Sequence, residues 1–297
     1  MSGAGRRAAL EVLATGALVL VEDGGRPGLA AVGVGRSGAA DRRAHRLGNR
    51  LVGNPDDHAS LEVLLGGLVV RARGRVTVAV TGAPAPASVA GRPVPHAAVV
   101  ELAHGGVLRL EAPAAGLRTY LAVRGGVDVE PVLGSRSTDT LSGVGPAPVA
   151  AGDVLPVGAP PGSFPTVDHA PHPAPDAGGA TLHLLPGPRA GWVGGIRPLV
   201  AATWEVSSES DRVGVRLTGS RVQRTAAHRE AELASEGMVR GAVQLPPGGE
   251  PVLFLADHPV TGGYPVVAVL TEASADRAAQ LRPGEPVRLL PATATRY

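Results

Sequence analysis

Apolar residues along this chain cluster in short runs separated by Gly and Pro. In the first half the runs are Leu61–Leu65, Leu68–Ala72, Val76–Thr81, Val99–Leu102, Val107–Leu110 and Leu117–Val123. Runs of this length, bounded by turn residues, predict buried strands. Two shorter runs between Leu10 and Glu22, either side of Thr15-Gly16, predict a hairpin. One stretch changes period. Ala40, Ala44, Leu47 and Leu51 recur at helical spacing and share one face, with Arg43, Arg46 and Arg50 off it, and Gly53-Asn54-Pro55-Asp56 closes that helix. Gly152-Asp153-Val154-Leu155 reads as the last strand of this half.

The second half repeats the style. Leu182–Leu185, Pro251–Ala256, Val266–Leu270 and Val287–Leu290 read as strands, and Ser274–Leu281 as a short helix capped by Ser274. The pattern predicts a mainly β protein with a few short helices. Its organisation is a disordered start over 1–9, one subdomain over 10–159, a Pro/Gly-rich linker over 160–180 and a second subdomain over 181–292.

Composition narrows the chemistry. The 297 residues include 42 Gly and 28 Pro, which suit many turns, and only 2% aromatics, so the core is built from Val, Leu and Ala. There is no cysteine, hence no disulfide, thiolate metal site or cysteine nucleophile. There is no lysine either: all 28 basic residues are arginine. That excludes a lysine Schiff base, a Walker A lysine and covalently bound biotin on this chain. A net charge of +2 from dispersed arginines, with few aromatics for stacking, argues against nucleic acid. No run reaches the length of a membrane span, none reads as a signal peptide, and the expected location is the cytoplasm. The nine histidines form no metal-ligand spacing, so no metal is expected.

Candidate chemistry lies in the loops. Gly33-Val34-Gly35-Arg36-Ser37-Gly38 matches G-x-G-x-x-G, but strands rather than βαβ alternation follow it, which argues against dinucleotide binding. An anion site made of Ser37, Asp41 and nearby N–H groups is one reading; a simple N-cap is the other. Gly134-Ser135-Arg136-Ser137-Thr138-Asp139 gathers hydroxyls around an arginine, a composition suited to an oxyanion or to a solvated loop. Asp257-His258-Pro259-Val260-Thr261-Gly262-Gly263-Tyr264-Pro265 lies between two apolar runs and carries an acid, a hydroxyl, two glycines and a tyrosine. A plain hairpin loop needs less. No G-x-S-x-G elbow occurs, which disfavours a serine hydrolase.

Several motifs in order resemble the biotin-dependent carboxyltransferase-domain family. They are Gly25-Arg26-Pro27-Gly28, Ser37-Gly38-Ala39 with Asp41, Leu51-Val52-Gly53-Asn54, Leu61-Glu62, Gly125-Gly126-Val127-Asp128 and Val132 to Thr138. Further on come Ser210-Asp211-Arg212, Gly214 with Arg216-Leu217, Ser235-Glu236-Gly237, Gly241 to Gln244, and Asp257 with Thr261 to Pro265. The family, long labelled allophanate hydrolase subunit 2, includes the 5-oxoprolinase C subunit, the KipI antagonist KipA and the carboxyltransferase region of urea carboxylase.

The resemblance implies two cyclophilin-like β-barrel subdomains. It also implies partnership with a KipI-like B subunit and with the A subunit of 5-oxoprolinase, and ATP-dependent opening of 5-oxo-L-proline to L-glutamate. The alternatives it implies are a KipA-like regulator, or a carboxyltransferase using a separate biotin carrier. Under it Asp257, Arg212 and Asp41 are the expected catalytic residues. Arg26, Ser37, Arg136, Ser137, Ser210, Gln244, Thr261, Gly262, Gly263 and Tyr264 are expected to bind substrate or nucleotide, with ATP shared with the partner subunits. The family loop usually reads Asp-Arg-Gln-Thr-Thr-Gly-Gly-Tyr-Pro-Lys; here His258, Pro259, Val260 and Val266 replace the arginine, glutamine, first threonine and lysine.

Overall fold

The computed structural model describes residues 7–162, 164–171 and 179–292. Residues 1–6 of the expected disordered start, His172 and part of the expected linker lie outside them; Ala9 already belongs to a strand. The chain forms two compact units. The first comprises residues 1–26, 37–139 and 143–175, and the second 27–36, 140–142 and 176–297. Residues 160–171, read from composition as linker, thus group with the first unit, where Val99 N–H donates to Asp168 O and Ala98 bridges His169.

The first unit is two sheets. One runs in the order β11 (Val154–Pro156), β1 (Ala9–Ala14), β4 (Val69–Arg73), β9 (Val107–Leu110), β6 (Ala87–Val89), β7 (Arg92–Val94). The other is β2 (Leu18–Glu22), β3 (Ser60–Leu64), β10 (Arg118–Val123), β5 (Val76–Gly82), β8 (Val99–Leu102). Leu10, Val70 and Leu108 from the first sheet and Val21, Leu61 and Leu121 from the second share one buried cluster. The hairpin expected over Leu10–Glu22 is therefore corrected. β1 and β2 do not pair with each other; β1 pairs with β11 and β4, and β2 with β3. The turn between them moves the chain from one sheet to the other, so that both apolar faces meet in the same core. β6 and β7 escaped the sequence reading because each is three residues long and β7, carrying Pro93, is an edge strand.

Among the described residues the single long helix of this unit, α1 (Arg42–Leu51), starts where the sequence pattern placed it. Asp41 caps it by accepting from Ala44 N. Its buried face is Ala44, His45, Gly48, Asn49 and Leu51, more polar than the predicted stripe. A Cβ at Gly48 would lie 3.0 Å from Thr81 Oγ1 and 3.1 Å from Ala122 Cβ. Glycine here lets the helix lie directly on β5 and β10.

The second unit contains a closed seven-stranded barrel in the order β12 (Ala180–Pro186), β19 (Val266–Leu270), β16 (Ala242–Gln244), β17 (Val252–Phe254), β14 (Gly214–Gly219), β13 (Trp204–Val206), β20 (Pro286–Pro291). A parallel pairing of β12 with β20 closes it. Buried and exposed residues alternate along β20 and the start of β12, as a half-buried strand requires. A two-stranded ladder, β15 (Glu236–Gly237) with β18 (Thr261–Gly262), stands outside the barrel. Two short helices complete the unit, α2 (Arg197–Ala201) and α3 (Glu272–Ala278). The cap of α3 is Thr271, not Ser274; Ser274 N donates to the Thr271 side chain. Ser274 Oγ instead accepts from His183 N on β12, and so fixes the helix to the barrel wall. Among the described residues no helix is long and apolar enough to cross a membrane.

Candidate functional site

The loop 257–265 is not a hairpin loop. It leaves β17 and enters β19, and β16 lies between these two strands in the barrel. The loop must therefore arch over the end of β16, and hydrogen bonds tie it down along its length. Met238 N donates to Val260 O at 2.9 Å, and Leu245 N to Pro265 O at 3.0 Å. Gln244, the last residue of β16, donates from Nε2 to Tyr264 O at 3.2 Å. Gly262 pairs with Glu236, whose carboxylate holds Arg189. A Cβ at Gly262 would stand 2.7 Å from Gln244 Nε2 and 2.9 Å from Met238 Cε. A side chain there would collide with the brace that fixes the arch. Above this brace Thr261, Gly263 and Tyr264 are exposed.

Asp257 opens the arch and is 1% exposed. Its carboxylate accepts from Arg212 Nε at 2.9 Å and Nη2 at 3.2 Å, and from Thr140 N at 3.0 Å and Oγ1 at 2.7 Å. Asp257 N also donates to Arg212 O. A carboxylate so fully engaged by charged and neutral donors anchors the loop and residues 140–142; it does not face solvent as a free base. Arg212, expected to be catalytic, is the buried partner of this acid. Ser210 is brought elsewhere: its hydroxyl accepts from Arg216 N at 3.1 Å and closes the turn before β14.

The first unit gathers the other expected residues around an acid that the sequence reading passed over, Asp23. Asp23 Oδ1 accepts from Gly25 N, Ser135 Oγ and Ser137 Oγ at 2.7, 2.7 and 2.6 Å, and Oδ2 from Arg136 N at 2.6 Å. The Arg136 guanidinium turns away, to Asp128 at 2.6 Å and Val129 O at 2.7 Å. Arg26 is 2% exposed and donates to Ser137 O and Val132 O. Ser37 donates to Thr138 O at 3.3 Å. Gly38, the last glycine of the G-x-G-x-x-G match, has φ +93°, and a Cβ on it would lie 2.9 Å from Gly25 N. That glycine serves close packing of two loops.

Asp41 belongs to a neighbouring buried network. Its N–H donates to Tyr120 Oη at 2.8 Å, and Tyr120 donates to Glu62 Oε2 at 2.7 Å. Glu62 also accepts from Ala40 N and pairs with Arg118 at 3.2 Å. Tyr120 and Glu62 are cross-strand partners of β10 and β3, which is why they meet. Burial, then the Glu62 charge, raises the Tyr120 phenol well above its usual range. The signal for this network was available in the sequence: Glu62 and Arg118 interrupt apolar strands, and a charge there requires a partner.

Beside it, His45 Nδ1 lies 2.9 Å from Ser60 Oγ and Nε2 lies 3.2 Å from Asn49 Nδ2. Asn54 donates to Asn49 Oδ1, so Asn49 presents its NH₂ to the ring and Nε2 is the acceptor. The proton therefore sits on Nδ1 and is donated to Ser60, which makes this pair the reverse of an activated serine. Burial pushes His45 down to about 4, against the opposing charges of Asp23 and Glu62. Among the described residues, no three His, Asp or Glu side chains gather as a metal site.

The model of the carboxyltransferase domain, subdomain A and B, matches residues 32–291. The chain is 36% identical to the 5-oxoprolinase C subunit of Escherichia coli, over 95% of this chain and 90% of that protein. It is 29% identical to the corresponding C subunit of Haemophilus influenzae, over 94% and 90%. The crystal structure of TTHA0988 superposes with a TM-score of 0.86 at 35% identity, covering 98% of this chain; the chain spans 57% of that protein. The K. lactis urea amidolyase structure superposes with a TM-score of 0.89 at 28% identity, over 97% of this chain and 19% of the larger protein. A match that runs through both units, from the helix-bearing sheet to the last barrel strand, leaves one conclusion: the chain belongs to the carboxyltransferase domain, subdomain A and B, family.

Proposed function

We propose that this chain is the C-type component of an ATP-dependent 5-oxoprolinase, working with B and A subunits to open 5-oxo-L-proline to L-glutamate in the cytoplasm. The observation that carries this reading is coverage. The chain accounts for 90% of the length of two proteins named as the C subunit of 5-oxoprolinase, but only 16% of a yeast urea amidolyase that it also resembles. In this reading the exposed lip Thr261–Tyr264 receives the lactam, with the backbone of Gly262-Gly263 in contact with it. Gln244 holds that lip from below. Asp257 and Arg212 are positioning residues that fix where the arch begins, which keeps donors in place before substrate arrives.

Two of the residues expected to bind nucleotide do not fit a triphosphate: Ser137 spends its hydroxyl on Asp23, and Arg136 is paired with Asp128. The nucleotide is accordingly assigned to the partner subunits, and no step on this chain is drawn through it. A second reading, carboxyl transfer from a separately encoded biotin carrier, is favoured by the TM-score of 0.89 to a urea amidolyase.

The deciding experiment mixes the purified chain with its B and A partners and measures ATP turnover dependent on 5-oxoproline. The expected result is turnover that requires all three and is lost in Gln244→Ala. A tight complex with the B partner that shows no such turnover refutes the reading.

A further inference from the structure

Among the described residues Arg26 is the largest of the fully buried side chains, and its charge is not balanced there by a bonded acid. At 2% exposure it makes two hydrogen bonds, both to neutral carbonyls: Nη2 to Ser137 O, and Nε to Val132 O at a long 3.4 Å. Nη1 is buried and has no partner among the described residues. No carboxylate there forms an ion pair with Arg26 either. Asp23 is the obvious counter-charge, since both it and Arg26 bond to Ser137. Its oxygens, however, are taken by Gly25 N, Ser135 Oγ, Ser137 Oγ and Arg136 N. Buried arginines are ordinarily paired, because an ionised group out of water without a partner costs several kcal/mol. An idle guanidinium nitrogen in a buried place is a charged donor suited to an oxyanion's oxygen.

The cover over this guanidinium is slight. Val132 O, which accepts the long Nε bond, begins a tight turn closed by Val132 N to Ser135 O at 2.8 Å and Ser135 N to Val132 O at 3.2 Å. Its tip is Leu133-Gly134. Leu133 sits at φ +52° and Gly134 at φ +80°. A leucine in left-handed backbone is uncommon, and this one is 56% exposed, so its side chain contributes little packing to hold the turn in place.

We infer that Arg26 is the anchor of a small-oxyanion site in the first unit, taking a carboxylate or a phosphate on Nη1, with the Val132–Ser135 turn as its movable cover. Binding supplies the buried charge with a bonded partner. This site lies in the first unit and does not depend on the 5-oxoprolinase reading, because simple anions probe it whatever the substrate.

The test is thermal unfolding of the full chain titrated with sodium acetate, 5-oxoproline and sodium phosphate, each against sodium chloride at equal ionic strength. Wild type is expected to gain Tm saturably with at least one probe beyond chloride. Gain with acetate and 5-oxoproline identifies a carboxylate site; gain with phosphate alone identifies a phosphate site. Either supports the proposal. Arg26→Gln is expected to lose the gain, an apparent affinity drop of more than about tenfold, as for loss of charged hydrogen bonds. Arg26→Lys keeps the charge but not the planar fork and is expected to bind several-fold more weakly, which decides the matter if Arg26→Gln fails to fold. Arg75→Gln, at a side chain 78% exposed, controls for loss of surface charge and is expected to behave as wild type. No saturable gain above chloride in wild type, or an undiminished gain in Arg26→Gln, overturns the proposal. So does Arg26→Lys binding as tightly as wild type.

Discussion

Replacing Asp257 tests whether this acid anchors the arch or acts as a free base. Asp257→Ala strands Arg212, whose side chain is 4% exposed and whose partner is fully buried. Removing one member of a buried ion pair costs about 3–5 kcal/mol. Thr140 loses the acceptor for two donors in the same step. At roughly 2–4 °C per kcal/mol for a unit of this size, Tm falls by about 6–20 °C. Both tryptophans, Trp192 and Trp204, lie in the second unit, and Trp204 is buried against the barrel. Tryptophan emission during urea unfolding therefore reads the affected unit directly. Asp257→Asn retains one oxygen acceptor and is expected to lose about half as much. The double variant Arg212→Met with Asp257→Leu removes both charges and is expected to recover most of the loss. The reasoning fails if Asp257→Ala stays within about 1 kcal/mol of wild type. It fails equally if Asp257→Asn abolishes turnover while its unfolding curve is unchanged, since that is how a catalytic base behaves.

Other perturbations follow from the same geometry. Gly262→Ala is expected to push Gln244 off Tyr264 O and cut activity, at a stability cost of about 1 kcal/mol for one lost hydrogen bond. Gly248→Ala, whose added Cβ meets nothing within 4 Å, is the matched control; equal activity in the two would sink the brace argument. His45 binds its proton less readily folded, at about 4, than unfolded, at 6.5. The unfolded chain therefore takes up more protons between these values. Stability is full above about pH 6.5 and falls as pH drops towards 4, by roughly 3 kcal/mol at 1.36 kcal/mol per unit. Unfolding free energy measured by circular dichroism across this range should show the slope, and His45→Gln should flatten it. Tyr120→Phe removes the hydroxyl shared by Asp41 N and Glu62, and calorimetry should find a loss of about 1–3 kcal/mol.

Local pattern carried much of the fold. Run length and Gly/Pro spacing gave most strands, and the four-three-four spacing gave α1 with Asp41 at its cap. These features depend on residues close in sequence, where backbone geometry and side-chain period act directly. The unusual content of the 257–265 loop marked it as more than a turn, and Glu62 and Arg118 within apolar strands carried a legible demand for partners.

What the sequence did not contain is which distant residues meet. The parallel closure of β12 on β20, and the placing of β16 between the two strands that bracket the arch, are pairings of strands far apart in the chain. The first closes the barrel, and the second turns a loop into a braced arch. Asp257 showed an acid in the right loop, but Thr140, 117 residues away, and Arg212, 45 away, decide that the acid is an anchor. The hydroxyls and Arg136 beyond Gly134 looked equally ready for a ligand until Asp23, more than a hundred positions earlier, claimed Ser135, Ser137 and the Arg136 N–H. A polar side chain's role is set by which other polar atoms share its buried space. Composition determines which groups are available to this protein; only the tertiary structure decides which of them are already taken.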